Sequence, residues 1–435
     1  MRLSNLSFII LAFALSPKAW GENLKLTHQE CVEMALSHNE ELKKAENSVK
    51  QADLDQKIAT TAYLPKFDGS AMGMYMVPDM DMMGYKMQMR GAYMAGIQLT
   101  QPIYAGGKIT AGRKLAKIGR DVADEQLRLR KADVIAEADN AYWTYVAVRS
   151  KVDLMDKFFN MVDTLYSQTE TAMDAGMATG NDLLRIQAKR SEIEYQRQKA
   201  TNGAELCRMA LCNYIGVDMN TDIIPVDSLP KCTEPDDLTA NISDRPELHL
   251  LEMQVKASEQ QVKLTLGDFL PTVGLSLGYT YYGNIKLKGM ADVGGGNYFP
   301  FTQKYEDGIG MGMLAVSIPL FHWGEGAKKV KKAKYAVENA RLDLERNRKL
   351  LDLEAKQAAI NLVDGRNMIK SAGVALEQAA ENLRVMQNRY EESMSPLSDL
   401  LDAQTQWHQA RSNQIEAITQ YQIYLTAWLK ANGKL

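Results

Sequence analysis

One strand-and-helix unit is written twice in this chain, so any fold must accept the same unit in two places. Ala62-Tyr63-Leu64-Pro65 aligns with Asp268-Phe269-Leu270-Pro271 at an offset of 206 residues, and the same offset sets Glu41-Leu42 on Glu247-Leu248. Further along, Gln101-Pro102-Ile103-Tyr104 with Gly107 aligns with Ile318-Pro319-Leu320-Phe321 with Gly324 at an offset of 217. That offset persists from Asn181-Asp182-Leu183-Leu184 to Ser398-Asp399-Leu400-Leu401, so the second copy has eleven more residues in one loop. Each copy reads helix, strand, loop, strand, long helix, reversal, long helix. The copies span 22–213 and 241–435, joined over 214–240 by an irregular crossover with Pro225, Pro230 and Pro235.

Residues 1–21 have the layout of a secretory signal peptide: Arg2, an apolar run from Phe8 to Leu15, and Ala19-Trp20-Gly21 ahead of Glu22. Beyond it no stretch approaches the ~20 consecutive apolar residues of a spanning helix. A membrane-spanning reading must therefore use strands. Leu64 to Val77 alternates, with Phe67, Gly69, Ala71, Gly73 and Tyr75 on one side and Asp68, Ser70, Met72, Met74 and Met76 on the other. Tyr93–Tyr104, Val273–Tyr282 and Gly308–Phe321 are similar short runs, which gives a discontinuous barrel region at about 64–104 and 271–321. Pro65, Pro102, Pro271 and Pro319 mark the strand entries.

Four strands cannot close a barrel, and an open edge in lipid leaves backbone groups without partners. Protomers must then share one barrel. Two chains would supply eight strands, whose interior side chains fill, whereas three supply twelve and leave room for passage. The expected class is an α+β membrane protein: a trimeric 12-stranded β-barrel with four strands per chain, joined to a long α-helical coiled-coil barrel.

The helical segments support the second half of that expectation. After Gly324 the apolar positions run Val330, Ala333, Val337, Ala340, Leu344, then Leu351, Ala355, Ala358 and Leu362, and the first copy keeps the same beat. Asp364-Gly365-Arg366-Asn367 reads as a helix reversal, equivalent to Ala147-Val148-Arg149-Ser150. The return helices are interrupted at Gly176-Met177-Ala178-Thr179-Gly180 and at Ser393-Met394-Ser395-Pro396, where Ser395 is expected to cap and Pro396 to open the next helix. Equal placement in both copies reads Gly176, Gly180 and Pro396 as equatorial breaks.

These residues carry a family resemblance. The two Leu-Pro pairs, Gln101-Pro102-Ile103-Tyr104-Ala105-Gly106-Gly107, and Asp399-Leu400-Leu401-Asp402-Ala403 after Tyr390 resemble the TolC-like outer-membrane efflux protein family over essentially the whole mature chain. The resemblance implies a homotrimer in outer-membrane lipid with a periplasmic tunnel that docks a periplasmic adaptor and an inner-membrane pump. It implies a passive exit duct for efflux or type I secretion, closed at its tips by acidic side chains and polar inter-helix links. Position alone nominates Arg149, Asp153, Asp156, Asp364 and Arg366 for that closure.

Other chemistry finds less support. Gly274-Leu275-Ser276-Leu277-Gly278 matches the nucleophile-elbow pattern, but its serine sits inside an alternating strand rather than a strand-to-helix turn. The five histidines lack metal-site spacing, so no catalytic residue, cofactor or dedicated zinc site is expected. A net charge of −3 from 51 basic and 54 acidic residues argues against nucleic acid. Cys207 and Cys212 are five apart on a helix and read as unpaired thiols. Lys328, Lys329, Lys331, Lys332 and Lys334 form either a solvated helix face or a contact with anionic headgroups.

The methionines Met72, Met74, Met76, Met80, Met82, Met83, Met87, Met89 and Met94 leave two readings: lipid-facing strand residues with an adaptable outer loop, or soft thioether ligands for Cu(I) or Ag(I). A duct dedicated to Cu/Ag efflux and a soluble periplasmic coiled-coil adaptor are the rival functions. The adaptor would have no need of four strands.

Overall fold

The computed structural model describes residues 24–82, 85–227, 238–292 and 297–435. The signal peptide at 1–21, Met83, Pro230 and Pro235 lie outside them. The order is β1 (Leu24–Leu26), α1 (His28–His38), α2 (Glu40–Thr61), β2 (Lys66–Tyr75), β3 (Met80–Met82), β4 (Tyr85–Gln88) and β5 (Arg90–Ala105). There follow α3 (Lys108–Asp174), α4 (Gly180–Ile215), β6 (Ile223–Pro225), α5 (Pro246–Gly267), β7 (Thr272–Asp292), β8 (Tyr298–Ser317), α6 (Glu325–Glu391) and α7 (Leu397–Ala431).

The duplication is kept in the long helices. α3 and α6 are each 67 residues, and the offset of 217 holds at both their ends and at the starts of α4 and α7. At 1.5 Å per residue such a helix is about 100 Å long. None of the helices among the described residues is long and apolar enough to cross a membrane.

The compact units are not the two copies. One comprises Met1–Lys43, Arg130–Arg245 and Leu351–Leu435, the other Lys44–Leu129 and Pro246–Leu350, so each draws on both repeats. In the first unit, β1 and β6 pair in parallel and seat Leu26 and Ile223 in a core with Ala138, Tyr142 and Val146 of α3 and Leu211 and Ile215 of α4. Thr27 caps α1 through a capping box with Glu30, which satisfies backbone donors at both residues. A second core joins Phe158, Val162 and Leu165 of α3, Ile186 and Ile193 of α4, Leu383 of α6, and Leu397, Leu400 and Ala403 of α7. A third packs Ala355, Ala358 and Leu362 of α6 on Tyr421 and Trp428 of α7. The Ala-rich seam lets helix axes approach closely there.

The second unit is built on a sheet in which β2, β5, β7 and β8 pair antiparallel in that order, while β4, paired with β3, joins the outer part of β7. Helices of this unit are tied by Arg120–Asp53 (3.9 Å), His249–Glu125 (3.1 Å) and Arg341–Glu259 (2.7 Å).

The reversals fall elsewhere than the turn residues suggested. α3 is helical through Ala147–Ser150 and α6 through Asp364–Asn367. Gly365 is there for packing: a Cβ on it would lie 3.0 Å from the Tyr424 ring and 3.5 Å from Tyr421. The chain turns instead at the two segments first read as equatorial. After α3, Gly176 is left-handed (φ 74°), Met177 N–H donates to Ala172 O (2.8 Å) and Gly176 N–H to Met173 O (2.9 Å), a Schellman motif. After α6 the same bonds run from Met394 to Arg389 (2.7 Å) and from Ser393 to Tyr390 (2.9 Å), with Ser393 at φ 58° in the glycine's place. Thr179 then caps α4 in a box with Asp182, whereas α7 has Pro396 itself as N-cap without a side-chain bond. Ser395, expected to cap, makes no hydrogen bond through its buried hydroxyl.

The proline positions are also corrected in part. Pro65 and Pro271 immediately precede β2 and β7. Pro102 lies late in β5 beside a register shift between Pro102 and Tyr104, and Pro319 lies past the end of β8. A residue with no N–H is accommodated at an irregularity or outside the ladder.

Candidate functional site

The sheet has two chemically distinct faces, and the register identifies them. Met72 is directly opposite Met94, Asp68 opposite Gln98, and Lys66 opposite Thr100. Across the next pairings Thr100 faces Ser276 and Met94 faces Tyr282, while Ser276 faces Met313 and Gly278 faces Met311. Directly opposed residues share a face. One face therefore collects Asp68, Ser70, Gln98, Thr100, Ser276 and Thr280 with Met72, Met74, Met94, Met311 and Met313. Gln98 Nε2–H donates to Ser276 Oγ across it at 3.0 Å.

The other face carries Phe67, Ala71, Ile97, Leu99, Leu275, Leu277, Leu314 and Val316, with Tyr93 and Tyr281 toward the hairpin end, ring centroids 6.3 Å apart. An apolar face ending in aromatic side chains has the chemistry of a lipid-facing barrel wall, and the polar face that of a lumen. The strand methionines are thus on the polar side. The alternate positions supply the apolar face.

Among the described residues β2 and β8 each pair on one side only. Their other edges offer unpaired backbone groups.

The helix-borne candidates are dispersed. Asp156 accepts from Arg197 Nε (2.5 Å) and, about two turns on, Asp163 accepts from Arg190 Nε (2.6 Å), two links from α3 to α4. The Arg190 guanidinium also covers the Phe159 and Tyr166 rings, at 5.4 and 5.6 Å. Arg149 donates to Ile223 O (3.1 Å) and Tyr145 Oη (3.3 Å), which ties α3 to β6 rather than to a turn. Asp153 and Asp364 are exposed within α3 and α6, as is Arg366. Gly176, Gly180 and Pro396 are at the reversals.

A polar cluster in the first unit carried no sequence signal. His28 Nε2 is 2.6 Å from Asp139 Oδ1, and Asp139 Oδ2 accepts from Thr426 Oγ1 at 2.8 Å. Asp227 Oδ2 accepts from His28 N–H (2.6 Å) and from Tyr142 Oη–H (2.8 Å). The His28 ring stacks on Trp143, centroids 5.2 Å apart. The hydrogen bond to Asp139 raises the His28 pKa, against the opposing effect of burial. Burial likewise pushes the Cys31 thiol up to about 12, and Cys31, Cys207 and Cys212 are free. A buried thiol of this kind is inert. The His28–Asp139–Thr426 cluster joins residues as much as 287 apart in the sequence, so spacing could not reveal it.

The family profile described as outer membrane efflux protein matches residues 31–210 and 240–434. The alkaline protease secretion protein AprF of Pseudomonas aeruginosa is 22% identical over 262 residues, 58% of this chain but only 51% of AprF. Protein CyaE of Bordetella pertussis is 22% identical over 428 residues, 93% of this chain and 84% of CyaE. The crystal structure of the Campylobacter jejuni CmeC outer membrane channel superposes with a TM-score of 0.77 at 19% identity, covering 94% of this chain and 85% of that one.

Proposed function

Since this chain belongs to the outer membrane efflux protein family, we propose that it is an exit duct: a homotrimer in which the four long strands of each protomer, β2, β5, β7 and β8, together close one 12-stranded barrel in the outer membrane. Its helices form the periplasmic tunnel. The observation that carries this is the sheet with one apolar face, one polar face and two long edge strands, β2 and β8, that each pair on one side only. Lipid does not tolerate such edges, and pairing β8 of one protomer with β2 of the next closes both long edges. Twelve strands leave an aqueous bore where eight would not.

The duct passes what a periplasmic adaptor and an inner-membrane pump deliver. AprF is named for the secretion of an alkaline protease, which supports a secretion role here as well as efflux. The ends of α3 and α6, at Gly176–Gly180 and Ser393–Pro396, are the periplasmic reversals that the adaptor meets. Polar residues borne by the helices above them close the resting tunnel, with Asp153, Asp156, Asp364 and Arg366 as contributors and Arg149 as a brace. The passage needs no catalytic residue and no cofactor.

Two readouts test the proposal together: heat-resistant trimers in the outer-membrane fraction, and discrete conductance steps after reconstitution in planar bilayers. A monomer recovered in the soluble or inner-membrane fraction would overturn it in favour of a periplasmic adaptor.

A further inference from the structure

The polar face of the sheet holds methionines that neither packing nor lipid accounts for. Met72, Met74 and Met94 are 57%, 37% and 39% exposed, so they are not core. They share the side of Asp68, Ser70 and Gln98, so they do not meet acyl chains either. Apolar side chains left in water on a channel wall gain little from the hydrophobic effect.

Their arrangement is that of a ligand set. Met72 is directly opposite Met94, and Met74, two residues along the same strand, is opposite the small, buried Ala92. Opposed Cβ atoms in an antiparallel pair are about 4.5–5.5 Å apart, and same-face neighbours along a strand about 7 Å. Three rotatable bonds in each side chain let sulfurs at these separations reach one point. The pairing also repeats outward along the ribbon: Met76 N–H donates to Met89 O (3.3 Å), and Met80 is directly opposite Met87.

We propose that Met72, Met74 and Met94 form a thioether site for a soft monovalent cation, Cu(I) or Ag(I), on the channel-facing side of the sheet. Thioether sulfur selects those ions over hard or borderline ones. Being neutral and non-titrating, it holds one positive charge without a proton to displace, so binding is insensitive to pH across the neutral range. The described residues contain no group of three or more His, Cys, Asp or Glu able to hold a metal, and no carboxylate or imidazole cluster competes for the ion. The face and the pairing belong to a single protomer's sheet, and only the assignment of that face to the channel rests on the duct reading.

Ag(I) is the suitable probe, since it needs no reductant. Full-length detergent-solubilised protein is incubated with silver nitrate in chloride-free buffer, exposed briefly to hydrogen peroxide, and its methionine sulfoxides are mapped by peptide mass spectrometry. Silver should protect Met72, Met74 and Met94 while leaving the exposed Met177 and Met394, which have no methionine partner across a strand, oxidised as before. Uniform protection, or none, overturns the site. In parallel, M72L/M74L/M94L should retain one Ag(I) fewer per protomer than wild type; the difference cancels silver held by the cysteines. Leucine keeps the volume and apolarity, so equal silver retention would mean that the methionines serve only as an adaptable apolar lining. Trimer and conductance measured on the same wild-type preparation report on the duct separately. A conducting trimer without protection refutes the metal site and leaves the duct standing.

Discussion

His28 at the start of α1 and Asp139 in the middle of α3 are 2.6 Å apart, and through Asp139 the pair reaches Thr426 of α7 at 2.8 Å. One carboxylate thereby ties the N-terminal helix to both copies. Asp227, which accepts from His28 N–H and Tyr142, and the Trp143 ring complete the surroundings of the imidazole. His28 is the group whose charge changes within the ordinary range of pH.

The sign of the pH effect follows from the raised pKa. A histidine held protonated by a carboxylate contributes stability that is fully present below its ordinary value of 6.5 and is lost as pH rises through the higher folded value. Thermal unfolding followed from about pH 5.5 to about pH 8.5 should show this contribution lost across that window, against an opposite slope from the buried His408, whose pKa burial lowers. His28→Gln, which keeps a neutral donor, should remove the His28 contribution from the slope, and Asp139→Asn should remove it while costing about 1.5–3 kcal/mol at the acidic end. An unchanged slope in both variants would mean that the pair does not govern it.

The two helix reversals make an internal control. Gly176 and Ser393 occupy equivalent left-handed positions, φ 74° and 58°, but only one is glycine. A side chain there costs roughly 1–2 kcal/mol. Ser393→Gly should therefore stabilise the fold by about 1 kcal/mol, and Gly176→Ser should destabilise it by a similar amount. Chemical denaturation midpoints of the two variants should move in opposite directions.

Much of the architecture was legible because it is written as periodicity. The offsets of 206 and 217 located both copies, period-two runs located the long strands, and three-and-four spacing located the helices. The reversals were misplaced because turn chemistry and close packing use the same residue. Gly365 beside Asp364 and Asn367 reads as a turn, yet the glycine lets α6 approach Tyr421 and Tyr424. The real reversal at Ser393 lacks the expected glycine. One other feature, the His28–Asp139–Thr426 link, is set across long sequence separations and no local pattern encodes it. The side shared by Asp68, Ser70, Met72 and Met74 was legible from alternation, whereas the pairing of Met72 with Met94 was not.

The packing role of Gly365 gives a direct test of that distinction. In an exposed turn a large side chain would be tolerated. In the observed seam, a Cβ already stands 3.0 Å from the Tyr424 ring, and the further atoms of a leucine have no room. Gly365→Leu should cost about 1–3 kcal/mol through overpacking, seen as a lowered unfolding midpoint, whereas Arg366→Leu, at an exposed position, should shift it little.

The α3–α4 links separate stability from gating. Asp156–Arg197 and Asp163–Arg190 are short, but their side chains are about two-fifths exposed, and exposed pairs are worth about 0–1 kcal/mol. Breaking them should scarcely alter the unfolding midpoint. Closure is different, because a resting state held by a few polar contacts shifts its population steeply when each is lost. Asp156→Asn and Asp163→Asn together, which leave both guanidinium groups over their rings, should raise the leak conductance of reconstituted trimers, and the increase should shrink when wild type is compared at high salt, where screening has already weakened the links. If conductance is unchanged at low salt in the double variant, the constriction lies on other residues and these pairs merely hold the return helix to α3.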